Sequence, residues 1–272
     1  MKTPPLRRVR YWRRLTRRPF RTREGRFLVE GVRNVEEALA TGWAVEEVLC
    51  TREAYAQPRV REAVAAAEAR GIPVWEVGRP LLEEITTTVT PQGLAALVRQ
   101  PSWAPEDVLR TERVPLVVVV DGVQDPGNLG TILRTAAAVG ATGVILLPGT
   151  VDPFNPKAVR ASAGGIFRVP VVRAADLGAV VALAAAGVRL LVADVGAGTD
   201  LYGVDFTGPV AVIVGGEARG PGEGVRALRH TAVRIPMPGG AESLNVGVAC
   251  AVILYEAVRQ RLRPCHDPPP VV

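Results

Sequence analysis

Five polar side chains sit where apolar elements begin or end, and they are the residues of this chain best placed to do chemistry: Asn128, Arg134, Glu217, Ser243 and Asn245. The segment "GGAESLN" (239–245) opens directly into "VGVACAVILYE", so Glu242, Ser243 and Asn245 crowd the first turn of a helix that is apolar on every side. A helix N-terminus needs one capping side chain, and the remaining polar groups are left as donors and acceptors for something else. Asn128, in "DGVQDPGNLGTILRTAAAVGA", occupies an N-cap position, and a plain cap would account for it. Arg134 lies inside the apolar helix that follows, where a cation must snorkel, pair or reach a ligand. Its place near the start of that helix favours a ligand over a structural ion pair. Glu217 ends the apolar run of "VIVGGEARGPGEG", whose glycines at 215, 216, 220, 222 and 224 permit close backbone approach.

These residues need a scaffold that brings loop ends together. From 116 onward, "LVVVVDG", "GVILLPG", "FRVPVV", "RLLVADV", "VAVIVGGE" and "AVRIPM" are short continuous apolar runs, the pattern of strands buried on both faces. Helical stretches at 129–139, 157–164, 174–186 and 243–262 separate most of them. The alternation predicts an α/β domain with a mostly parallel sheet and helices on both faces. In such a sheet ligands bind beyond the carboxyl ends of the strands, where the five polar residues fall. Strand, glycine loop and helix around Gly122, Gly127 and Gly130 look like a dinucleotide fingerprint, but the spacing is not G-x-G-x-x-G. No acid follows the second strand, so a nucleotide-dependent oxidoreductase is disfavoured.

Upstream, "GRFLVEGVRNVEEALATG", "VEEVLCT", "PRVREAVAAAEARG", "IPVWEV", "LLEEIT" and "GLAALV" alternate strand and helix into a smaller α/β unit. The expected organisation is a basic arm (1–20), the small α/β domain (21–99), a proline-containing linker (100–115), the larger domain (116–263) and a disordered tail (264–272). The first 26 residues carry 11 Lys and Arg against one acid, a net of +10 that exceeds the +6 of the whole chain. Arg7, Arg8, Arg10, Arg13, Arg14, Arg17, Arg18, Arg21 and Arg23 are interleaved with Tyr11, Trp12 and Phe20. Cations that displace counterions from phosphates, beside rings that can stack on bases, suit nucleic acid.

Other classes are disfavoured. The longest apolar run falls well short of the roughly 20 residues that span a bilayer, and no apolar segment follows the basic start as a secretory signal requires. Cys50, Cys250 and Cys265 lie far apart, and the histidines number two, His230 and His266, so neither a disulfide framework nor a metal site is expected. A cytoplasmic location follows from that reading.

Taken in order, "DPGNLGTILRTAAAVG", "VIVGGEARG" and "IPMPGGAESLNVGVACAVILYE" resemble the three motifs of the SpoU (TrmH-like) RNA ribose 2′-O-methyltransferases of the SPOUT superfamily. "RFLVEGVRNVEEAL" is similar to the start of the RNA-substrate-binding domain that precedes the catalytic domain in many members. The resemblance implies a deep trefoil knot, which no local pattern predicts because knots are nearly absent from proteins. It implies an S-adenosylmethionine pocket made by Gly215, Gly216, Glu217, Gly220, Ile235, Met237, Ser243 and Leu244, without metal. It also implies a homodimer with the last helix at its interface. By the same resemblance Arg134 is central to transfer. Since a guanidinium is effectively never neutral in proteins, it is expected to hold the ribose phosphate and stabilise the developing alkoxide rather than take a proton. Asn128 and Asn245 would orient Arg134 and the ribose, and Glu217 and Ser243 would fix loops or acceptor. The separate N-terminal domain points by analogy to ribosomal RNA, of the large subunit, over tRNA. The alternatives are a tRNA-directed enzyme of the same chemistry and an inactive, ribosome-associated RNA-binding protein.

Overall fold

The computed structural model describes residues 1–262 apart from 87, 89, 218 and 219; the tail expected to be disordered lies outside the described residues. The chain divides into two compact units, residues 1–102 with 152–168, and residues 103–151 with 169 onward.

The first unit runs α1 (Leu6–Leu15), α2 (Arg18–Glu24), β1 (Arg26–Glu30), α3 (Val32–Ala40), β2 (Val45–Cys50), α4 (Arg52–Tyr55), α5 (Pro58–Glu68), β3 (Val74–Glu76), α6 (Arg79–Thr86) and β4 (Leu94–Arg99). Its sheet has the order β1-β4-β2-β3, with β4 antiparallel to both neighbours and β3 parallel to β2. Alternation along the strands sends Leu28, Leu49, Ala95 and Leu97 to one face, where Trp12, Leu15 and Phe20 of α1 and α2 join Leu82 and Ile85 of α6. The other face sends Phe27 against Trp43, Phe154 and Phe167, the last two supplied by the 152–168 segment.

That packing corrects one expectation. Residues 1–20, expected as an arm separate from the domain at 21–99, are part of the same unit: Trp12 is fully buried and donates its indole N–H to Glu47 at 2.8 Å, and Phe20 is buried too. Neither ring is available to stack on a base. Amphipathicity decided the outcome, because Trp12 and Leu15 lie three apart and take the inward face of α1.

The second unit contains β5 (Leu116–Asp121), α7 (Pro126–Ala138), β6 (Gly143–Leu146), β7 (Val171–Arg173), α9 (Gly178–Ala185), β8 (Arg189–Ala193), β9 (Thr199–Asp200), β10 (Val210–Gly215), α10 (Glu223–Arg226), β11 (Thr231–Arg234) and α11 (Val246–Arg261); α8 (Pro156–Ala161) belongs to the first unit. The sheet order is β7-β6-β5-β10-β8-β11-β9, and every neighbouring pair is parallel. Val117, Val119, Ile145, Leu190, Ala211 and Ile213 pack on α9, with Val108 from the expected linker fully buried among them. α7 and α11 pack together, reaching β6 and β10 respectively. The predicted helices and strands are present with ends shifted by a few residues, but the helix expected at 157–164 packs in the first unit as α8, so the expected 116–263 domain is interrupted by residues 152–168. No described helix is long and apolar enough to cross a membrane.

Candidate active site

The carboxyl ends of β8, β10 and β11, together with the approach to α11, enclose a cleft of about 570 Å³, within the size range of small-molecule sites. Gly215, Gly216, Glu217, Gly220, Ile235, Met237, Ser243 and Leu244 all line it, as do Asn245, Val246, Asp194, Val195, Pro221 and Arg226.

The glycines are there for space. A Cβ on Gly215 would collide with the backbone of Gly220 and Pro221, since the loop after β10 folds straight back over the strand end. A Cβ on Gly216 would lie 2.7 Å from the carbonyl oxygen of Gly122. Gly220 adopts φ +65°, and its N–H donates to the Gly216 carbonyl at 2.9 Å, closing the turn. Ala218 and Arg219 of this loop are outside the described residues. Asp121, at the end of β5, accepts from the Gly222 N–H at 2.7 Å and holds the far side of the loop.

Three of the five candidate catalytic residues form one hydrogen-bonded chain at the mouth of the cleft. Asn245 caps α11, its Oδ1 accepting from the N–H groups of Gly247 (2.9 Å) and Val248 (3.3 Å). Its Nδ2 donates to Asn128 Oδ1 at 2.8 Å, and Asn128 Nδ2 donates to Glu217 Oε1 at 2.7 Å. Polarity is forced from both ends. Backbone N–H groups can only donate and an ionised carboxylate can only accept, so both amides have one allowed orientation. Burial alone would raise the Glu217 carboxyl, but hydrogen bonds from Asn128 and from the backbone N–H groups of Glu217, Gln124 and Asp125 hold it below its ordinary value. Glu217 is thus an anionic anchor and a weak base.

The position of Asn128 differs from the plain-cap reading. Asp125 is the N-cap of α7, accepting from the Asn128 backbone N–H at 2.9 Å, with Pro126 in the first turn. The Asn128 side chain is thereby released to reach Asn245 and Glu217. Of the crowded residues before α11, Asn245 is the cap, Ser243 lines the cleft, and Glu242 is exposed outside it.

Arg134 is not joined to this chain. It lies on an exposed face of α7, does not line the cleft, and its guanidinium has no hydrogen bond or ion pair with a described residue. One turn earlier on α7, Thr131 packs against Gly247 at the start of α11. An unpaired guanidinium beside the junction of α7 and α11 is free to engage an anion arriving from outside.

Two cleft residues escaped the reading of the sequence. Arg226 donates to the Pro221 carbonyl at 3.0 Å and pairs with Asp194 at 2.7 Å, tying α10, the glycine loop and the end of β8 together. The Asp194 carboxyl is held low by the Gly196 N–H and, against burial, by Arg226. An acid ending the apolar run "RLLVADV" was the available signal. The described residues hold no cluster of His, Cys, Asp and Glu suited to a metal ion, and burial pushes the Cys250 thiol up to about 12, so it is no nucleophile.

The arginine-rich N-terminus sorts into two groups. Arg21 is 3% exposed; it pairs with Asp152 at 2.8 Å and donates to the carbonyls of Leu15 and Thr16. This corrects its assignment to RNA: a cation so enclosed cannot reach a phosphate. Arg8 pairs with Glu47, Arg13 with Glu84 and Arg23 with Glu24. Arg7, Arg10, Arg14, Arg17 and Arg18 are exposed without an acidic partner among the described residues.

The SpoU rRNA Methylase family profile matches residues 115–255, and the profile of the MRM3-like substrate binding domain matches residues 7–96. The chain is 35% identical to the 23S rRNA (guanosine(2553)-2′-O)-methyltransferase RlmP of Bacillus subtilis, over 91% of this chain and 94% of that protein. It is 34% identical to the 23S rRNA (uridine(2479)-2′-O)-methyltransferase of Streptomyces viridochromogenes, over 96% and 95%. Among solved structures, the AdoMet-bound rRNA methyltransferase from Sinorhizobium meliloti superposes with a TM-score of 0.84 at 31% identity, covering 97% of this chain and 99% of that one. The SpoU methyltransferase AviRb from Streptomyces viridochromogenes, in complex with AdoMet, gives 0.83 at 35% identity, covering 93% and 98%.

Proposed function

We propose that this chain, which belongs to the SpoU family of rRNA methylases, transfers a methyl group from S-adenosylmethionine to a ribose 2′-hydroxyl of large-subunit ribosomal RNA. The observation that carries the reading is the glycine-walled cleft with the Glu217–Asn128–Asn245 chain across its mouth. The cleft fits the cofactor: backbone approaches where no Cβ has room, beside the apolar walls of Ile235, Met237 and Leu244. Gly215, Gly216, Gly220, Ile235, Met237, Ser243 and Leu244 would hold it. When bound, S-adenosylmethionine supplies an already electrophilic methyl on sulfur, so neither metal nor covalent nucleophile is required.

The protein's remaining task concerns the hydroxyl. A ribose 2′-oxygen is a poor nucleophile, and positioning together with stabilisation of developing negative charge provides most of the acceleration. Asn128 and Asn245, each locked in one orientation, present their remaining amide hydrogens to the acceptor ribose. Glu217 stays ionised and anchors the chain. Arg134 holds the neighbouring phosphate and stabilises the developing oxyanion, while the hydroxyl proton leaves to solvent.

The same reading makes the protein a cytoplasmic homodimer through α11. Val248 and Tyr255 are 47% and 56% exposed on that helix, with Ala251 and Val252 half-buried between them, an apolar stripe at helical spacing that a second copy would cover. A trefoil knot in the second unit belongs to this reading as well.

The test is to incubate the protein with methyl-labelled S-adenosylmethionine and unmodified ribosomal RNA or bulk tRNA, then digest to nucleosides. Label on a ribose of the large-subunit RNA is the expected result. Label confined to tRNA would redirect the substrate assignment, and no label with no cofactor binding would overturn the reaction.

A further inference from the structure

We propose that Arg7, Arg10, Arg14, Arg17 and Arg18 form a backbone-tracking contact for the RNA substrate that reads phosphate and not base; the inference rests on RNA being the substrate. Four of the nine N-terminal arginines are neutralised in place, by Glu47, Glu84, Asp152 and Glu24. The five that remain are exposed and have no acidic partner among the described residues.

Their placement is set by the core. Trp12 and Leu15 turn one face of α1 into the sheet, which forces Arg7, Arg10 and Arg14, three and four residues apart, onto the outward face. Arg17 and Arg18 follow at the turn into α2. No acid lies within α1, so Arg7, Arg10 and Arg14 stand within a length of about 11 Å without an opposite charge on their own helix. Like charges at this spacing oppose helix formation, and the helix is held against that repulsion by Trp12 and Leu15. A polyanion relieves the same repulsion.

The rings decide between phosphate and base. Trp12 is fully buried, and Phe20 is buried with the guanidinium of Arg14 at 4.1 Å and that of Arg23 at 4.8 Å from its ring centre. Arg8 lies over Tyr11 at 4.9 Å. Trp12 and Phe20 are enclosed and offer no face to a nucleobase, and Tyr11 is covered by Arg8 on one side, so the exposed groups of this surface are guanidinium groups. Contacts of this kind fix register and supply affinity, and carry no sequence information directly.

The experiment is equilibrium filter binding of the full chain to an unmodified large-subunit rRNA fragment and to an RNA duplex of unrelated sequence, across a salt series. Replacing all five arginines by Gln, which keeps helix propensity similar, should lower the slope of log K against log salt by about four, equally for both RNAs. The double variant Arg8→Gln/Arg13→Gln should lower it by less than one. An unchanged slope in the fivefold variant, or a loss confined to one RNA, would overturn the proposal, and so would an equal loss in the double variant. If the fivefold variant does not fold by circular dichroism, single Gln substitutions at Arg10 and Arg17 should each lower the slope by somewhat under one. Methyl transfer by the unaltered protein is measured in parallel. Arginine-dependent binding without transfer supports this contact and sinks the enzymatic reading, whereas transfer with arginine-independent binding does the reverse.

Discussion

The rim of the second unit and the arm of the first are both rich in polar side chains, yet the structure treats them in opposite ways. At the rim, Glu217, Asn128 and Asn245 come from three separate stretches and satisfy one another in a single chain that still faces an open cleft. In the arm, residues that look alike in sequence part company: Arg21 is enclosed by Asp152 and two carbonyls, while Arg17 and Arg18 stand free in solvent. Residue type is therefore a better guide where the backbone leaves little choice, as at a glycine-walled strand end, than where several copies of one residue crowd a helix.

The glycine loop is where a single substitution should do most harm. Gly215→Ala should abolish S-adenosylmethionine binding by calorimetry, because the added methyl meets the Gly220–Pro221 backbone; Gly208→Ala, with nothing within 4 Å, should bind as before. Binding retained in Gly215→Ala would mean that this loop is not the cradle. Next comes Arg134→Ala, expected to lower methyl transfer by about 10²–10³-fold, the usual cost of a lost charge-stabilising donor, while cofactor binding persists. Near-normal turnover would remove Arg134 from the reaction.

The arm supplies the third test. Arg21→Ala should cost about 3–5 kcal/mol by denaturant unfolding, as expected when one partner of a buried ion pair is left alone. Arg17→Ala should change stability by less than about 0.5 kcal/mol. Similar effects at the two positions would erase the distinction drawn between them. Smaller still, Asn245→Ala should cost about 1 kcal/mol for the lost cap, and a double-mutant cycle with Asn128→Ala should be non-additive; simple additivity would show that the chain does not act as a unit. The smallest effect is with pH. The Glu217 carboxyl lies below its unfolded value, so its contribution is complete above the ordinary carboxylate range and disappears as pH falls through the lowered folded value. Unfolding midpoints of Glu217→Gln should show less loss than the parent between about pH 6 and 3.

Much of this was legible beforehand, for identifiable reasons. Continuous runs such as "LVVVVDG" and "VAVIVGGE" announce β5 and β10 because strands covered on both faces admit no polar alternation. The glycines of "VIVGGEARG" mark the cleft loop because no other residue fits Gly215. Asp194 and Arg226 were less visible: their pairing depends on β8 and α10 meeting across the loop. Asp125 took the cap expected of Asn128, since Pro126 begins the helix earlier and leaves Asn128 inside its first turn.

By itself, then, the sequence determined the elements, the positions of the loops at the strand ends and the residue types that close the cleft, all of which depend on local periodicity and sterics. Tertiary structure alone decided which polar groups are spoken for. Arg21 and Asp152 are 131 residues apart, and Asn128 reaches Glu217 across 89. Whether a charge is anchored or free depends on what long-range packing sets within hydrogen-bond distance of it, and that is not encoded in its immediate neighbours.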